Sequence, residues 1–131
     1  MQTYELENEV FNGLISNAEL LALLPKGAKS IFHHQAPSVE PANYPIIVYS
    51  PISDVPILSA DNLEIMHKVT IRTHIIIPLN KTALEKEKFI QTCRIVTEIM
   101  TSLKFRRVQS TPFINDGKEM LIIDFVRGVE S

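Results

Sequence analysis

The stretch Glu64-Ile-Met-His-Lys-Val-Thr-Ile-Arg-Thr-His-Ile-Ile-Ile-Pro78 decides the fold. Read with period two, Ile65, Val69, Ile71, Thr73, Ile75 and Ile77 share one face. Glu64, Lys68, Thr70, Arg72 and His74 share the other, the pattern of a strand with one wet side. At about 3.3 Å per residue such a strand spans roughly 50 Å. A domain of this length has a radius of gyration of only about 14 Å. The strand must therefore bend, carry a bulge, or reach beyond its own domain.

Working outward, Pro78-Leu-Asn80 ends the strand, and Thr82-Ala-Leu-Glu85 forms a capping box. The helix it opens is expected to reach Leu103, with Phe89, Cys93, Val96, Met100 and Leu103 on one apolar stripe. Glu87, Gln91, Arg94, Glu98 and Ser102 make its solvated face. Beyond it, Phe105–Ile114 and Lys118–Val126 read as two strands joined by the turn Asn115-Asp-Gly117. Pro112 makes the first an edge or a bulged strand, while the apolar run from Met120 to Phe125 suits a central, covered position.

Upstream, Leu6, Val10 and Leu14 define a first helix over Tyr4–Ile15, with Thr3 as its N-cap. Ser16-Asn-Ala-Glu19 reads as a capping box for a short second helix, Ala18–Leu24, stopped by Pro25 and Gly27. Ile31-Phe32 fits a brief strand, and Pro37, Pro41 and Pro45 mark a loop. Ile46–Ser50 is a compact β-branched strand. Pro51–Asn62, rich in Pro and Asp, reads as a long loop whose Val55, Ile57 and Leu58 are more apolar than solvation requires. The order α-α-β-β-α-β-β describes one α+β domain over residues 1–131, a two-layer sandwich with helices on one face of a mostly antiparallel sheet.

Composition narrows function by exclusion. The chain has 131 residues, 45% hydrophobic and 21% charged, with a net charge of −2. That balance gives no overall attraction to nucleic acid or anionic membrane. The single cysteine cannot form an intrachain disulfide and fits a reducing compartment. The acidic start lacks a secretory signal pattern, and no apolar run approaches the roughly 20 residues that cross a bilayer.

Catalytic and metal constellations do not emerge from the spacing. His33 and His34 are neighbours and should diverge in an extended segment, and His67 and His74 fall on opposite strand faces. With no convergent Cys or carboxylate, no metal site and no cofactor are expected. Cys93 sits on an apolar stripe, where a thiol is a small hydrophobe. Four glycines form no phosphate loop, and the serines lack a nucleophile elbow. The expectation is a non-enzyme. Lys104-Phe-Arg-Arg107 complements the C-terminus of the long helix, or contacts DNA or an acidic partner locally.

Taken in order, these segments resemble the tail-completion (tail terminator) proteins of long-tailed bacteriophages and prophages. The residues carrying the likeness are Asn17-Ala-Glu-Leu-Leu-Ala-Leu-Leu24 after the first helix and the loop with Ile31-Phe-His33. Tyr44-Pro-Ile-Ile-Val-Tyr-Ser-Pro51 is similar to the family's first main strand, and Lys68-Val-Thr-Ile-Arg-Thr-His74 to its long alternating strand. The family often has a Gly or small-residue segment where this chain has Pro37 to Pro45. The resemblance implies a virion protein assembled in the bacterial cytoplasm, forming a hexameric ring on the head-proximal end of the tail tube. Its implied partners are further copies of itself, the tail tube protein and the head completion or connector protein, with transient contact to passing DNA and none to membrane. No catalytic residues carry over. Expected contact residues are Asp54, Val55, Ile57 and Leu58 in the loop, Lys68, Arg72 and His74 on the polar strand face, and Arg106 and Arg107 in the basic cluster. Another neck or minor capsid component is the near alternative, and a small-ligand or regulatory binding module the distant one.

Overall fold

The computed structural model describes residues 2–36, 41–60 and 63–130. Its elements are α1 (Thr3–Ile15), α2 (Ala18–Leu23), β1 (Ile31–His33), β2 (Ile46–Ala60), β3 (Leu63–Pro78), α3 (Ala83–Ser102), β4 (Arg106–Asn115) and β5 (Lys118–Glu130). Five strands form one sheet in the order β1-β2-β3-β5-β4, parallel only between β1 and β2. The α+β two-layer architecture stands as the sequence implies.

The alternation of β3 places its apolar row as expected. Val69, Ile71, Ile75 and Ile77 are buried in one cluster with Phe89, Ile95, Val96, Ile99 and Met100 of α3 and Leu6, Val10 and Leu14 of α1. β3 is the central strand, and β5 beside it supplies Ile123 and Phe125 directly opposite Thr73 and Ile71. The helices cover one sheet face. α3 begins on the expected capping box: Thr82 Oγ1 accepts from Glu85 N at 3.2 Å, and Thr82 N donates to Glu85 Oε1 at 3.3 Å. Gly13 lets α1 approach α3 closely, because a Cβ there would lie 3.0 Å from Leu103 Cδ1. Arg127 locks the same corner, donating to Glu9 Oε2 at 2.7 Å and to the Leu103 carbonyl at 3.2 Å.

A second, smaller cluster sits on the opposite face. Tyr44, Ile46 and Val48 are buried there with Phe32, Ala36 and Ile76 packed against them. The chain before β2 thus folds over one end of the otherwise uncovered sheet.

Three local expectations are corrected. Gln2, not Thr3, occupies the N-cap of α1, because the Thr3 hydroxyl donates to the Asp54 carboxylate instead. Asn17, not Ser16, caps α2: its Oδ1 accepts from Leu20 N at 2.9 Å, while the Ser16 hydroxyl is bonded to the Asn12 carbonyl. The largest correction concerns the predicted loop 51–62. Residues 51–60 continue β2 and pair with β3 from Pro51↔Ile71 to Ala60↔Leu63, while Asp61 and Asn62 lie outside the described residues. Pro51 and Pro56 each adjoin a register shift, and β2 beyond Tyr49 has no outer strand partner among the described residues, the setting in which a sheet tolerates proline.

Candidate functional site

Geometry concentrates the unsatisfied features on the two sheet edges. β1 covers β2 only at Ile47, Val48 and Tyr49. Past that point the outer side of β2 has no strand partner among the described residues. Ile52, Val55 and Ile57 on this length are each about half exposed. At the other edge, every residue of β4 is exposed, including Val108, Phe113 and Ile114. An uncovered edge bearing apolar side chains is a template for another chain. From the pairings, β2 and β5 run one way and β3 and β4 the other. A copy laid edge to edge in the same orientation would therefore meet β2 with β4 and continue an antiparallel sheet.

The predicted contact residues divide. Val55 and Ile57 are exposed on the β2 edge, Lys68 is exposed beside them, and Arg106 and Arg107 are exposed at the start of β4. The Leu58 side chain lies outside the described residues. Asp54 and Arg72 are paired within the chain, and His74 is half-buried beside a groove. Asp54 accepts from Thr3 Oγ1 and pairs with His67 Nδ1 at 2.5 Å, tying the first turn of α1 to the β2–β3 hairpin. Burial raises its pKa, but the hydrogen bonds from Thr3 and His67 and the His67 charge outweigh that and lower it. Arg72 grips Asp124, its directly opposed neighbour on β5, through Nε–Oδ1 at 2.8 Å and Nη2–Oδ2 at 3.1 Å. Cross-strand registry of opposite charges explains this pair, and sequence spacing 52 residues apart could not reveal it. The hydrogen bonds that Arg72 donates to Asp124 raise its pKa, against the opposing effect of burial.

His67 and His74 do lie on opposite faces. His74 opens onto a groove of about 500 Å³ on the uncovered face, lined also by Tyr44, Ile46, Val48, Ile76 and Met120, with Asp116 and Lys118 at its polar end. His74 Nδ1 is buried without a hydrogen-bond partner among the described residues. Burial lowers the His74 pKa most, the Arg72 charge lowers it further, and Asp124 opposes both. The unfolded chain therefore binds this proton more readily than the folded one, and stability falls as pH drops below the ordinary histidine value of 6.5. We expect His74→Leu to flatten that acid-side decline, read as urea midpoints from neutral pH downward. An unchanged slope in the variant would reject this origin.

Cys93 fits the apolar reading of its stripe, since burial pushes its thiol pKa to about 12. Among the described residues, no helix is long and apolar enough to cross a membrane. The groups missed by sequence reasoning are Asp124, opposite Arg72, and the uncovered length of β2.

No family model and no curated protein matches this chain. Among solved structures 18 chains match. One of these superposes over 100% of this chain and 97% of its own with a TM-score of 0.54 at 10% identity. Similarity at that identity establishes the fold and carries no function with it.

Proposed function

We propose that this chain is a structural assembly protein of the tail-completion type. In this reading it caps the head-proximal end of a phage tail tube, ends tube polymerisation and helps join the tail to the head connector. It acts as part of a ring of copies, in the virion neck, after assembly in the host cytoplasm. The observation that carries the reading is the length of β2 beyond Tyr49, which has no outer strand partner among the described residues and bears the half-exposed apolar residues Ile52, Val55 and Ile57. A heterologous contact between unlike edges closes into a ring when its rotation permits. The exposed, strand-paired position of these side chains suits docking better than catalysis.

The test replaces Val55 and Ile57 together by Asp. We expect a folded protein with wild-type circular dichroism that no longer joins heads to tails or binds purified tube ends, with at least about tenfold lost per buried anchor. A double variant that joins heads and tails normally would remove this edge from the proposal.

A small-ligand module is the second reading, favoured by one feature. The groove beside His74 has the volume of a ligand site and a mixed apolar and polar lining.

A further inference from the structure

His33 ends the outer strand β1, and simple alternation would send His34 to the other face of the sheet. The backbone does otherwise. His34 adopts φ +69°, in the left-handed region, while its N–H still donates to the Tyr49 carbonyl at 2.9 Å. That turn brings both imidazoles to one side, with ring centroids 3.7 Å apart. This overturns the expectation that the two histidines diverge. Glu7, projecting from α1, places Oε1 3.1 Å from His33 Nε2. One donor atom from each of Glu7, His33 and His34 lies within 4.8 Å of the others.

Three features make this more than a chance surface cluster. A left-handed non-glycine residue costs on the order of 1 kcal/mol or more and persists where its surroundings impose it. The Glu7 side chain is largely withdrawn from water, at 15% exposure, although it is a carboxylate. The His33 ring is also held from its far side, stacked on Tyr49 with centroids 5.0 Å apart. Helix, strand and turn therefore each contribute one donor to a common point.

We propose that Glu7, His33 and His34 bind a divalent transition-metal ion of the zinc class. Two imidazole nitrogens and one carboxylate oxygen are borderline donors that suit Zn²⁺ or Co²⁺, whereas Mg²⁺ and Ca²⁺ take oxygen ligands. Metal–ligand distances of about 2.0–2.2 Å require the donors to draw together by roughly 1 Å. The exposed His34 and half-exposed His33 rings can make that adjustment by side-chain rotation. Three protein ligands leave a fourth position for water or for a donor from another molecule. The site pins α1 to β1 and is independent of the edge residues invoked for assembly.

The experiment uses untagged protein stripped with a chelator, titrated with Co²⁺ by absorption spectroscopy and with Zn²⁺ by calorimetry. We expect one equivalent of metal with a micromolar or tighter Kd, ligand-field bands of low-coordinate Co²⁺, and no thiolate charge-transfer band. Glu7→Gln and His34→Asn should each weaken binding by at least about tenfold. Asn is chosen because it tolerates a positive φ. Both variants should keep the metal-free urea midpoint of the parent to within the usual range for surface substitutions. The proposal is overturned by the absence of saturable binding below millimolar metal. Affinity that both variants retain, or a thiolate band that vanishes in Cys93→Ser, overturns it equally.

Discussion

Replacing Phe125 by alanine should remove about 3–5 kcal/mol of folding free energy, the largest single loss expected in this domain. Phe125 is fully buried and lies directly opposite Ile71, the midpoint of the apolar row on β3. Its ring belongs to the cluster in which α1, α3 and the sheet meet, so no nearby element is free to collapse into the vacancy. Domains of ordinary stability have about 5–15 kcal/mol in total. The variant should therefore unfold at a markedly lower urea concentration with an unchanged m-value, lowering Tm by on the order of 10 °C or more. A shift under about 1 kcal/mol would mean that the two layers are not packed through Phe125.

The second large effect is expected at Asp124. Asp124 is buried, and its two oxygens take both hydrogen bonds from Arg72. Asp124→Ala leaves a half-covered guanidinium without its partner, at a cost of about 1.5–3 kcal/mol. Replacing both residues by Leu should restore much of that loss, because the penalty arises from one unpaired charge rather than from the absence of a pair. Denaturant midpoints of Asp124→Leu, Arg72→Leu and the double Leu variant form the cycle that measures the coupling. Strict additivity across the cycle would contradict the coupling read from the geometry.

Much of the architecture was legible in local chemistry. The period-two row of β3, the Thr82–Glu85 capping box and the turn at Asn115-Asp-Gly117 each correspond to an observed element. In each case propensity, pattern and tertiary packing agree. What stayed hidden depended on tertiary position. Pro51, Asp54 and Pro56 carry loop chemistry, yet they lie in a strand because β2 is an outer strand with bulges beside the prolines. The signal available was the length of β3, which needed an equally long partner. Asp54 and Arg72 looked like free polar groups because their partners, His67 with Thr3 and Asp124, are fixed by register and helix placement. The convergence of His33 with His34 turns on a single positive φ, which no residue pattern announces.

The two free edges differ in length, side chains and strand direction, and this gives the molecule a polarity that a symmetric edge pair would lack. In the proposed ring, a copy damaged only along β4 would still offer its β2 edge to a neighbour. It would accept nothing on its other side. Mixed with intact copies, it would act as a chain stopper, so a minority of one-edged molecules could suppress the activity of the majority. Damage to both edges would instead produce a bystander that never enters.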